Sequence, residues 1–173
     1  DPLWSRGLGD VYKRQAMHYD VIIIGGSYAG LSAGLQLARA RRRILVLDSG
    51  LRRNRFAATS HGFLSRDGES PAQIAAHGRT QLRAYPDVHW ADAEVTQVDG
   101  TAEAFRVTLG NGGAHTARRL IIATGMVDRL ADIPGLAERW GKQIFVCPYC
   151  HGYELEQGQI GVLATSAFAV HQA

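Results

Sequence analysis

The stretch Tyr19-Asp20-Val21-Ile22-Ile23-Ile24-Gly25-Gly26-Ser27-Tyr28-Ala29-Gly30 decides the fold. Its first half is short, β-branched and continuous, which suits a parallel strand buried on both faces. The glycines follow without a linker. A helical pattern then places Leu31, Leu35, Leu37 and Ala38 at apolar positions and ends in the basic run Arg41–Arg43. A second strand, Ile44–Leu47, terminates in Asp48, eighteen residues after Gly30.

Strand, glycine turn, helix, strand and acid in this order predict a Rossmann-like start and an α/β fold. Gly25 would permit the tight turn and Gly30 the close packing of helix on strand. The helix N-terminus would offer its dipole and backbone N–H groups to a pyrophosphate. Gly26, Ser27 and Ala29 complete the turn. Ser27 stands where the fingerprint has its middle glycine, and serine is small enough to adjust the site rather than abolish it. Asp48 is placed to accept ribose hydroxyls and would repel a 2′-phosphate, so FAD or NAD is expected at this site rather than NADP.

Downstream, Ser49, the cations around Arg53, and Asn54 follow the acid, and His61 lies in a polar–apolar loop. These are candidate cofactor contacts; an exposed loop and a structural histidine are the alternatives. Ser70-Pro71 predicts a helix start, with serine as cap and proline in the first turn, and the helix is expected to run to about Tyr85. Strands are expected at 88–90, 94–98, 105–109 and 114–117, the last two flanking the hairpin signal Asn111-Gly112-Gly113. A further buried strand, Leu120–Ile122, leads into Ala123-Thr124-Gly125, a small-residue turn suited to a chain passing close to a cofactor. The expectation is a parallel sheet with a small antiparallel β element.

The only two cysteines stand together in Cys147-Pro148-Tyr149-Cys150-His151, after a short expected strand at 144–146. This spacing lets two sulfurs meet at a helix start, where the dipole and a neighbouring histidine favour thiolate. Structural zinc would call for two such pairs. A redox-active pair is the reading retained; a zinc site and inert thiols are the alternatives. His151 is placed to move a proton at a sulfur. A second strand–turn–helix outline runs from Ile160 through Ala164, Ser166 and Ala169, with its glycine positions altered.

The bulk numbers are those of an ordinary globular chain: 173 residues, 46% hydrophobic, 20% charged and net charge +3. They predict neither nucleic-acid binding nor membrane insertion, and a cytoplasmic location is expected. Residues 1–16 are read as a non-native or disordered leader; Asp10–Gln15 looks like a translated transposon-end adapter. Residues 17–128 are expected to be the N-terminal part of an FAD-binding domain. Residues 129–173 are expected to begin an NAD(P)-binding-like domain carrying the cysteines, truncated at its first helix.

These residues together resemble the low-molecular-weight thioredoxin-reductase family of pyridine nucleotide-disulfide oxidoreductases. The Cys-Pro-x-Cys-His-Gly-x-Glu signature is similar to a branch that includes the dithiol oxidases of gliotoxin and holomycin biosynthesis. The resemblance implies an FAD domain split by an inserted domain, with NAD(P)H as a second cofactor candidate. It implies a small dithiol/disulfide or thioredoxin-like substrate and a homodimer when complete. It also implies that Cys147 exchanges with substrate, Cys150 faces the flavin and His151 serves as acid/base. Family members of the reductase type carry aspartate where this chain has His151, which favours the oxidase direction. An NADPH-dependent thioredoxin reductase, or an inactive fragment that binds no cofactor, is the alternative.

Overall fold

The computed structural model describes residues 18–164 and Ala169. The leader and most of the second glycine-like turn, including Ser166, lie outside the described residues. The chain divides into two compact units. Among the described residues, one runs to Arg53 and resumes over Ala75–Val127; the other comprises Asn54–Ile74 and those from Asp128 onward.

In the first unit, strand β1 (His18–Ile24) leads into helix α1 (Tyr28–Arg39) and strand β2 (Ile44–Asp48). Helix α2 (Pro71–Arg83) enters this unit at Ala75; its start, in the other unit's Asn54–Ile74 segment, is capped by Ser70, whose hydroxyl accepts from the Gln73 N–H at 3.2 Å. Strands β3 (Val88–Asp92), β4 (Val95–Thr101), β5 (Ala104–Leu109) and β6 (Ala114–Ile122) follow. They form one sheet in the order β3-β2-β1-β6-β5-β4. β1 is central and pairs parallel with β2 and β6, and β2 pairs parallel with β3. β4–β5 and β5–β6 pair antiparallel. A parallel sheet with a smaller antiparallel element is what the strand patterns predicted.

Alternation along β1 from Val21 and along β2 sorts most of the core onto two faces. Val21, Ile23, Ile44 and Val46 pack with Leu31 and Ala38 of α1 and Leu82 of α2. Tyr19, Ile22, Ile24, Leu45 and Leu47 pack with Val107, Leu109 and Ala117. The buried stripe of α1 is Gly30, Leu31, Gly34 and Ala38 rather than its leucines alone. Gly34 belongs there because a Cβ would meet a Leu82 methyl at 2.7 Å.

Several expected boundaries differ. Residues 114–117 and 120–122 are one strand, because β6 pairs with β5 through its first half while pairing with β1 nearly throughout. The C-terminal half of β6 has no β5 partner, and Ile122 is 71% exposed, so this end is not the buried strand expected. α1 stops before the arginine run. Arg42 and Arg41 donate backbone N–H groups to the Leu37 and Ala38 carbonyls, and Arg41 adopts φ +54°. This is a Schellman ending with arginine at the left-handed position.

In the second unit, the short helices α3 (Leu136–Arg139) and α4 (Pro148–His151) are joined by irregular chain. The strand expected at 144–146 is reduced to a single bridge between Trp140 and Ile144. The strand expected from Ile160 is absent over 160–164, and Ile160 is 66% exposed. A strand is defined by its ladder, and none of the described segments pairs with this one.

Candidate functional site

The glycine turn lies where β1 delivers the chain to α1. Gly25 adopts φ +105°, and a Cβ there would strike the Ala123 carbonyl. The backbone cannot retreat, since Gly25 donates to the Leu47 carbonyl at 2.7 Å and Ala123 to the Ile24 carbonyl at 2.8 Å. A Cβ on Gly30 would strike the Gly25 carbonyl. The Ala123-Thr124-Gly125 turn thus passes close to the glycine turn itself.

Ser27 is the N-cap residue of α1 in an extended conformation, and its hydroxyl makes no capping bond. Ala29 is exposed in the first turn. The positive end of a twelve-residue helix is therefore presented at a loop of small residues, which suits a pyrophosphate. Asp48 closes the site, accepting from the Gly26 N–H at 3.1 Å. Ser49 follows it, exposed. Gly25, Gly26, Ser27, Ala29, Gly30, Asp48 and Ala123 are brought together within one unit, and this cradle fits the pyrophosphate and ribose of a dinucleotide. Arg53 closes this unit's first segment and Asn54 opens the other unit.

Trp90 was not anticipated from the sequence. A Cβ on Gly26 would come within 2.3–2.6 Å of its indole edge. Trp90 Nε1 donates to Asp92 at 2.9 Å, Arg79 donates to both Asp92 oxygens at 2.9 and 3.0 Å, and the Arg79 guanidinium lies 4.3 Å from the indole centroid. The Trp90 and Arg79 hydrogen bonds hold the Asp92 carboxyl below its ordinary range. Nothing local in a β-strand marks such a tryptophan.

In the second unit, Cys147 and Cys150 form a disulfide with Cα atoms 5.3 Å apart. The sequence builds it locally. Cys147 is the N-cap of α4, its sulfur accepts the Cys150 N–H at 3.2 Å, and Pro148 occupies the first helical position. α4 has only four residues, so the helix dipole invoked from the spacing is weak here. Cys150 is exposed and Cys147 half-buried. Tyr149, between the two cysteines, and Tyr153, just after them, are 96% and 93% exposed.

His151 stacks flat on Phe145, with centroids 4.7 Å apart and planes 3° from parallel. Both its ring nitrogens are shielded from solvent and make no hydrogen bond, so neither sulfur is engaged. His61 is not simply a loop histidine. Its Nε2 lies 3.3 Å from Glu154 and 3.1 Å from the Thr59 hydroxyl, and its Nδ1 lies 3.7 Å from Asp67. Glu154 therefore joins the disulfide turn to the 59–67 loop, a pairing that the residue order does not advertise.

The model of the family described as pyridine nucleotide-disulphide oxidoreductase matches residues 19–170. The thioredoxin reductase tcpT of Claviceps purpurea is 40% identical over 152 residues, covering 84% of this chain and 46% of that protein. The crystal structure of an oxidoreductase from Agrobacterium tumefaciens superposes with a TM-score of 0.88 at 57% identity, covering 91% of this chain and 53% of that one. HlmI gives a TM-score of 0.84 at 46% identity, with 90% and 50% covered. The chain thus spans about half the length of the relatives it matches. The resemblance read from the glycine turn, the acid and the cysteine pair is borne out: the chain belongs to the pyridine nucleotide-disulphide oxidoreductase family.

Proposed function

We propose that this chain carries the dinucleotide site and the redox-active disulfide of an FAD-dependent thiol/disulfide oxidoreductase acting on a small dithiol or a thioredoxin-like protein. The observation that carries the reading is the Cys147–Cys150 disulfide closed across one helical turn. The family match and the relatives named thioredoxin reductase support it.

Gly25, Gly26, Ser27, Ala29 and Gly30 would hold the FAD pyrophosphate and Asp48 the ribose. Ser49, Arg53, Asn54, His61, Thr124 and Gly125 are further candidate contacts, with Ala123 shaping the turn. When bound, the flavin supplies a two-electron partner for the cysteine pair. On the protein side, a substrate thiolate attacks Cys147, breaking the S–S bond and forming a mixed disulfide. The second substrate thiolate then displaces Cys147. The substrate leaves as a disulfide, and its two electrons rest on Cys147 and Cys150. By the resemblance, His151 would take or return the proton at sulfur, for which its ring would have to leave the stack on Phe145.

The test is anaerobic mixing of the FAD-loaded protein with dithiothreitol while flavin absorbance is followed. Bleaching that is lost in Cys150→Ser supports the scheme, and undiminished bleaching in that variant overturns it. Recovery of colour in air marks the oxidase direction. Bleaching by NADPH instead marks a reductase, in which electrons run outward to the disulfide.

A further inference from the structure

The glycine turn is braced from below, and the brace is a side chain that no glycine fingerprint contains. Position 26 has no side chain of its own, so the turn cannot hold itself by packing. The Trp90 indole edge fills the space beside it, and Asp48 Cβ lies 2.8 Å from where a Gly26 Cβ would be. In the β2–β3 register Asp48 stands opposite Asp92, so indole, turn and both carboxylates sit at the same end of adjacent strands. Two further contacts fix the indole: its N–H is bound by Asp92, and its face is covered by the Arg79 guanidinium, itself held by Asp92.

We propose that Trp90 is a positioning residue for the dinucleotide site: Arg79 and Asp92 hold the indole, the indole holds Gly26, and the Gly26 N–H orients the Asp48 carboxylate. This rests on reading the turn as a dinucleotide site. Without the indole, Gly26 gains conformational freedom that ligand binding must remove, and Asp48 loses the fixed donor that aims it. The effect is on the affinity of the turn, not on the chemistry at the disulfide.

FAD and ADP binding to the purified chain are measured by titration, alongside urea unfolding of each variant. Trp90→Ala is expected to weaken both ligands about tenfold, and Trp90→Phe, which keeps a ring against Gly26 but loses the N–H, to weaken them less. Gly26→Ala is expected to weaken binding about tenfold or more by collision with the indole. Adding Trp90→Ala to Gly26→Ala should then recover part of that loss, the remaining contact with Asp48 Cβ limiting the gain. This non-additivity distinguishes a direct brace from general destabilisation. Wild-type affinity in folded Trp90→Ala, or strictly additive losses in the double variant, overturns the positioning role while leaving the dinucleotide reading intact. If Trp90→Ala does not fold, Trp90→Phe, alone and combined with Gly26→Ala, decides by the same criteria. A wild-type chain that binds neither FAD nor ADP overturns the dinucleotide reading and the inference with it.

Discussion

Replacing Gly25 by alanine tests whether the glycine turn is shaped by steric necessity. Two costs are expected. At φ +105° an L-residue is strained by about 1–2 kcal/mol. The new Cβ also collides with the Ala123 carbonyl, a backbone atom tied to β1 by the Ala123–Ile24 hydrogen bond. Overpacking of this kind costs about 1–3 kcal/mol. The sum, about 2–5 kcal/mol, is a large share of a typical domain's stability. Gly50→Ala provides the control: Gly50 has φ +78° but nothing within 4 Å of its Cβ position, so it carries the first cost alone. Urea unfolding followed by far-UV circular dichroism gives both values from the midpoint shifts, provided the slopes agree. Equal losses in the two variants would refute the claim that the Ala123 carbonyl crowds the turn.

Arg41→Gly should stabilise the chain by about 0.5–1 kcal/mol, because arginine sits in the left-handed position of the α1 ending; a lower urea midpoint would contradict this. His115 lies 6.1 Å from the Tyr19 ring, and burial holds its imidazole below the ordinary 6.5. A depressed folded value means that the unfolded chain takes up the proton first. His115 therefore contributes stability above pH 6.5 that is lost as pH falls below it. Urea midpoints at pH 7.5 and 5.5 should drop more for the wild type than for His115→Gln, and equal drops would remove the assignment.

The βαβ opening, the capped helix at Ser70-Pro71, the hairpin at Asn111-Gly112-Gly113 and the Cys-Pro-Tyr-Cys turn were all legible from residue order. Each is built by neighbours: periodicity, a cap, a φ-permissive glycine, or a cysteine capping its own helix turn. The errors arose where a segment's state depends on a distant ladder. Residues 114–117 and 120–122 merge because β1 spans them, and 144–146 and 160–164 have strand composition but no described partner strand.

Residue order alone determined the chemistry available to this protein: small residues at the helix start, an acid at the strand end, two cysteines one helical turn apart, and an adjacent histidine. Only the tertiary structure decided who touches whom. It placed Ala123 against Gly25, the Trp90 edge against Gly26, Glu154 beside His61, and the His151 ring flat on Phe145. Those contacts join residues far apart in the chain or turn a side chain away from its sequence neighbours. Local pattern carries no information about them, because the energy that selects them is the packing of whole elements against one another.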